Sequence, residues 1–314
     1  MSIRGSLLKL FLLNSIRLDS AWNDLGLNDL GVLRSCIGFK ARKTIPLPMS
    51  IAHVSRVPVE TWRCDGIEFR LIKAPTDSEF ENVAIGETEV TQELFKAVMG
   101  FNPSYYKGIQ NDIVFVDIVK KGKEERVPIL QNRDFGYDPK KPVEQVSIFD
   151  CMDFCNKLSV FFGLRPYYSL ENIESYEKSI YKADIKTSKE LSFRLPTEDE
   201  WYAFALAGTD NKWSGTKNEK ELESYAWVNG VYASISDQQT HPVAQKKPNE
   251  WGLYDMTGNV WEWCYAEDQS NQHAFLRGGC WNNTAEEVLS TNQNSLPKGS
   301  REKESGFRVC RSIG

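Results

Sequence analysis

Apolar residues recur along this chain with two different periods. Glu68-Phe69-Arg70-Leu71-Ile72-Lys73 alternates polar and apolar positions and predicts a strand. Over residues 92–99 the period becomes helical, with Leu94, Phe95, Val98 and Met99 on one face. Thr91 stands where an N-cap is needed, and Gly100 and Pro103 end the helix. A second apolar stripe, Cys151, Phe154, Cys155 and Leu158, follows Ser147, which with Asp150 resembles a capping box. A third helix starts at Thr197, with Glu200 three residues on, and Trp201, Phe204 and Ala205 facing inward; Gly208 closes it. The polar stretch 104–141, with its charged run 120–126, reads as a solvated loop or hairpin. Beyond residue 210 the helical period gives way to short runs broken by Gly and Asn. Three modest helices, short strands and long loops predict an α+β domain.

Composition narrows the picture. With 41% hydrophobic and 26% charged residues in 314, the chain can fill a core. A net charge of −5 argues against a nucleic-acid binder. Charge also divides the chain, because residues 1–60 carry eight Lys or Arg against four Asp or Glu. We therefore expect an N-terminal accessory or anchor segment, 1–60, and a main domain, 61–314. The apolar run 7–13 is far too short for the roughly 20 residues of a membrane span. It follows Arg4 as a signal peptide would begin, and Leu33-Arg34-Ser35-Cys36 is similar to a loose lipoprotein box. The intervening Asp19, Asp24 and Asp29 oppose such processing, so a lipid anchor at Cys36 and an amphipathic N-terminal layer both stay open.

Seven Cys form no CxxC pair, and Cys151 and Cys155 share a helix face, so buried thiols are the simplest reading. Three scattered His, His53, His241 and His273, exclude a His-rich metal enzyme. Of nine Trp, five (Trp227, Trp251, Trp261, Trp263 and Trp281) crowd one stretch, as core plates or, less simply, as sugar-stacking platforms.

An ordered set of segments then stands out. It runs through Glu89-Val90-Thr91, Asn102-Pro103-Ser104, Pro142-Val143-Glu144-Gln145-Val146-Ser147 and Phe193-Arg194-Leu195-Pro196-Thr197-Glu198-Asp199-Glu200-Trp201. It continues with Gly252-Leu253-Tyr254-Asp255-Met256-Thr257-Gly258-Asn259-Val260-Trp261-Glu262-Trp263, Leu276-Arg277-Gly278-Gly279-Cys280-Trp281 and Gly306-Phe307-Arg308-Val309. Together they resemble the formylglycine-generating-enzyme or sulfatase-modifying-factor family. That resemblance implies a variant of the C-type lectin fold, with few helices, short strands and long loops.

The resemblance also bears on chemistry. The family's enzymes use two cysteines after the Gly-Gly-x-Trp motif as copper ligands and redox groups. Here those positions carry Asn283 and Val288, which cannot form thiolates, so no copper is expected. A relocated chemistry would use Cys280, with or without Cys310. The resemblance further implies a Cys155–Cys310 bridge, out of register by one residue. It implies a structural calcium held by the side chains of Asp255 and Glu262 and the carbonyls of Gly258 and Val260; alternatively, the two carboxylates bond the loop backbone.

Between Trp281 and Gly306 the character changes. Residues 282–305 contain four Asn and no aromatic residue, with a net charge of −1. Placed between two family motifs near the C-terminus, the stretch resembles the variable region of diversity-generating-retroelement proteins of the Treponema variable protein type. An ordinary exposed loop is the plainer alternative. The resemblance implies a ligand-binding surface drawn from Asn283, Thr284, Glu286, Glu287, Leu289, Asn292, Asn294, Ser295, Leu296, Lys298, Ser300, Glu302 and Lys303. Without an internal aromatic the affinity is expected to be modest. The expected protein is non-catalytic, a ligand-binding display protein at a bacterial surface or outside the cell. Its ligand is a protein or glycan on host or neighbouring cells, not nucleic acid. A family oxidase with relocated cysteines and an accessory domain with one fixed partner are the alternatives.

Overall fold

The structure, a computed structural model, describes residues 58–120, 123–229, 238–266 and 272–314. Residues 112–120 and 123–125 are described by their backbone alone. The expectations for the N-terminal segment, including Cys36 and His53, lie outside the described residues.

Each expected helix begins where a side chain can satisfy its first orphan N–H groups. In α1 (Gln92–Met99) the Thr91 hydroxyl accepts from Leu94 N, and Gly100 closes the end in the left-handed region. In α2 (Ile148–Phe161) Ser147 Oγ accepts from Asp150 N, while the Asp150 carboxylate accepts from Ser147 N. In α3 (Glu198–Leu206) Thr197 and Glu200 make the same reciprocal pair. The Asp150 carboxylate has a second use: it also accepts from Ser179 Oγ and Ile180 N, so the cap ties α2 to a hairpin thirty residues away.

Five strands form the first sheet: β1 (Val59–Cys64), β2 (Ile67–Lys73), β3 (Val83–Gly86), β8 (Phe193–Arg194) and β13 (Cys310–Ser312), in the order β1-β2-β3-β13-β8. The second sheet comprises β9 (Trp261–Cys264), β10 (His273–Arg277), β11 (Gln293–Pro297) and β12 (Ser305–Gly306), in the order β11-β10-β9-β12. The polar stretch 104–141 contains a long antiparallel hairpin of β4 (Ile109–Lys120) and β5 (Lys123–Asp134). A second hairpin pairs β6 (Tyr168–Tyr176) with β7 (Ser179–Thr187).

The main core lies between α1, α2 and the C-terminal motif. Phe95 and Phe154 stack with ring centroids 5.5 Å apart, and Phe307 meets both edge-on. The stripe Cys151, Phe154, Cys155 and Leu158 is fully buried. The Gly306-Phe307-Arg308-Val309 segment runs through the middle of the molecule, where Val90 N donates to Phe307 O and Gly86 N to Val309 O. No helix of the described residues is long and apolar enough to cross a membrane.

Candidate functional site

The C-terminal sheet positions the loop that the sequence singles out. β10 ends at Arg277, and Gly278-Gly279 turns the chain into residues 280–292 before β11 returns beside β10. Gly279 has φ +78°, and a Cβ there would lie 2.3 Å from Val288 Cγ1. Val288, fully buried, thus fills the space over that glycine.

The loop is held at many points. Asn283 Oδ1 accepts from Cys280 N at 2.9 Å, and Thr284 N donates to Glu287 Oε2 at 2.7 Å. Asn292 Nδ2 donates to the carbonyls of Glu286 and Glu287. Arg277 Nη1 donates to Thr291 O and Asn292 O while its Nε donates to Glu198, anchoring the loop to α3. Trp213 Nε1 donates to Ala285 O, and Ser290 N to Lys212 O. Such pinning removes loop entropy before any ligand arrives.

The loop and β11 border an open, shallow cleft of about 800 Å³ lined by Trp261, Asn283, Glu287, Thr291, Asn292, Gln293 and Asn294. Behind Trp261 lies an aromatic cluster of Tyr105, Tyr106, Phe135 and Trp281. Glu144 holds that cluster in place: its carboxylate accepts from Tyr105 N at 2.9 Å and Tyr106 N at 3.0 Å. Burial pushes its carboxyl up to about 7, against those two hydrogen bonds. The folded chain therefore holds this proton more tightly than the unfolded chain. Stability from Glu144 is fully present below about pH 4.5 and falls as pH rises to about 7, by on the order of 3 kcal/mol. Glu144→Gln should flatten this part of the stability–pH curve, measured by denaturant titration between pH 4.5 and 7.5.

Of the residues expected to bind ligand, Asn283, Glu287, Asn292 and Asn294 line the cleft. Leu289 instead packs beside Trp213 and Val288, and Leu296 packs against the main core. Lys303 lies with its Nζ 5.4 Å from the Tyr105 ring centre. Thr284 bonds Glu287 and is exposed, as is Glu286; Ser295, Lys298, Ser300 and Glu302 also lie outside the cleft lining. Sequence reading missed Thr291, Gln293 and Trp261 as lining residues. Trp261 precedes the loop by some twenty residues and was assigned to the scaffold. The pairing of β9 with β12, where Trp261 meets Ser305 and Trp261 N donates to Glu304 O, and of β9 with β10 and β10 with β11, brings it to the loop. An aromatic residue is thus present at the site even though 282–305 contains none.

Of the residues expected to hold calcium, Glu262 commits both carboxylate oxygens to protein donors, while Asp255 keeps a buried Oδ1 without a hydrogen-bond partner. Glu262 accepts from Arg308 Nε and Nη2, both at 2.6 Å, and from Trp201 Nε1 at 2.8 Å. Arg308 therefore supplies the positive charge there. Asp255 accepts from Ala244 N at 2.7 Å, and burial pushes its carboxyl up to about 6. Among the described residues no three His, Cys, Asp or Glu side chains converge as a metal site. Glu89 lies in the same buried neighbourhood, its carboxyl raised by burial and by Asp255 and Glu262.

The thiols are equally enclosed. Cys280 is buried beneath the loop and donates to Asn283 Oδ1 at 3.2 Å; burial pushes its thiol up to about 12, which disfavours the thiolate. Cys155 and Cys310 are both buried free thiols, so the implied bridge is not formed.

A family model for the sulfatase-modifying factor enzyme 1-like domain matches residues 55–313. The chain belongs to this family. Within it, the chain is 30% identical over 253 residues to the chaperone protein LppX of Paenibacillus barcinonensis, covering 73% of this chain and 79% of that protein. It is 36% identical over 136 residues to the inactive C-alpha-formylglycine-generating enzyme 2 of Bos taurus, covering 38% of this chain and 44% of the relative. It therefore spans less than half the length of that protein. Among solved structures, Treponema denticola variable protein 1 superposes with a TM-score of 0.63 at 32% identity, covering 81% of this chain and 99% of that one. The fold is the C-type lectin-like fold of the sulfatase-modifying factor family.

Proposed function

We propose that this protein is a non-catalytic display protein that binds ligands through residues 282–305 on a rigid sulfatase-modifying-factor scaffold, outside the cell or at its surface. The observation that carries this reading is the cleft. Six of its seven lining residues come from 282–305, and the loop that bears them is held by hydrogen bonds to α3, to β10 and to itself. Changing the exposed Thr291, Gln293 and Asn294 side chains would alter recognition while leaving the core untouched. The likeness to a variable protein supports the same reading. So does the chemistry at the former cysteine positions, where Asn283 faces the cleft and Val288 is packed in apolar surroundings.

Sequencing the 3′ end of the gene and its neighbours in several isolates tests the proposal. Clustered changes at the cleft codons, beside a template repeat and a reverse transcriptase, are expected. A uniform sequence without such neighbours, or copper-dependent oxidation of a cysteine peptide by the purified protein, would overturn it. The uniform outcome favours a second reading, an accessory domain with one fixed partner. That reading draws on the relative named as a chaperone, which aligns over most of its length.

A further inference from the structure

The cleft offers one indole, three Asn amides, one Gln amide, one hydroxyl and one carboxylate. None of these described lining residues is a cation. We propose that this copy of the cleft binds a neutral oligosaccharide, with one sugar ring laid against Trp261 and its hydroxyls bonded by the amides of the loop and β11. The inference rests on the ligand-binding reading above and names the ligand class of the same site.

Three features carry it. The first is the mixture of donors and acceptors. Asn292 uses its Nδ2 on two backbone carbonyls, which leaves Oδ1 as the acceptor for a ligand. Asn294 uses Oδ1 on Ser295 N, which leaves Nδ2 as a donor. Thr291 and Gln293 add groups of both kinds. A sugar hydroxyl both donates and accepts, so it can use either sort of neighbour.

Charge is the second feature. The one ionised lining group is Glu287, whose carboxyl is held below its usual range by hydrogen bonds from Thr284 N and Oγ1. With a carboxylate and no cation in the cleft, sulfated, sialylated or phosphorylated ligands meet repulsion without a partner.

The third feature is shape and apolar content. A protein partner draws most of its affinity from several aromatic or aliphatic anchors sunk in dry pockets. Here the cleft is open and polar and has a single half-buried aromatic residue. One flat indole is enough to cover the apolar face of a sugar ring, while the remaining contacts stay hydrated.

The test is a glycan microarray bearing neutral, sialylated and sulfated oligosaccharides, run beside a random peptide array, with titration calorimetry on the best neutral glycan. Binding of neutral glycans is expected, weakened at least tenfold by Trp261→Ala. Because Trp261 also packs against the core, the exposed pair Gln293→Ala/Asn294→Ala gives a second measure, with at least a fivefold loss at unchanged melting temperature. Exclusive binding of anionic glycans, absence of neutral-glycan binding, or neutral binding indifferent to both variants would overturn the ligand class. Peptide binding that is lost in both variants would also overturn it while leaving the display reading standing. The isolate sequencing described above judges that reading separately.

Discussion

Arg308→Met is expected to destabilise the domain by about 3–5 kcal/mol, the usual range for stripping one partner from a buried ion pair. Arg308 is fully buried and makes four hydrogen bonds: two to Glu262, one to Gly86 O and one to Tyr254 O. Removing it strands the Glu262 carboxylate beside two more buried acids, Glu89 and Asp255. It also takes their donor from the Gly86 and Tyr254 carbonyls. The double variant Arg308→Met/Glu262→Gln should recover much of the loss, because no unbalanced charge remains at position 262 and Trp201 Nε1 keeps an acceptor. Denaturant melts of the wild type, both single variants and the double variant check this. A double variant no more stable than Arg308→Met would show that packing, not charge, carries the pair.

Gly258→Ala is expected to cost on the order of 3 kcal/mol through two independent penalties. Gly258 has φ +81°, a region that L side chains seldom adopt. A Cβ there would also stand 2.1 Å from Trp227 O and 2.8 Å from Trp227 C. The chain would have to open the bridge between Trp227 and Gly258 and give up the hydrogen bond from Asn259 N to Trp227 O. Asn259 in turn donates to Glu89 and His241 O and accepts from His241 N, so the strain would reach the buried acids. Thermal unfolding of Gly258→Ala against Gly252→Ala separates the two penalties. Gly252 has φ +88° but open space around its Cβ, so only the conformational penalty applies there.

The elements differ in how much of them could be read from the chain. The starts of α2 and α3 were legible because a capping box needs only residues three apart. The apolar stripe of α2 was legible for the same reason, since its members repeat within one helix. The long hairpin of β4 and β5 was half legible: its polar ends and charged turn predicted exposure, but the register of its strands did not follow from them.

The candidate site divides along the same line. That residues 282–305 lie between two family motifs is visible in the sequence, and four of the residues it offers, Asn283, Glu287, Asn292 and Asn294, line the cleft. Leu289 and Leu296 lie half-buried outside the cleft lining, because Trp213 and the main core approach them from distant parts of the chain. Trp261 was missed as part of the site because it belongs to a scaffold motif.

By itself, then, the sequence determined the three helices, the sulfatase-modifying-factor scaffold and the lack of thiols at Asn283 and Val288. These depend on residue identity or on contacts a few residues apart. The tertiary structure alone decided that Glu262 faces Arg308, forty-six residues on. It alone decided that Trp261 joins the loop to form the cleft. Both outcomes come from strands and loops that pair across long separations, and no local spacing encodes which partner a buried charge or a half-buried ring will meet.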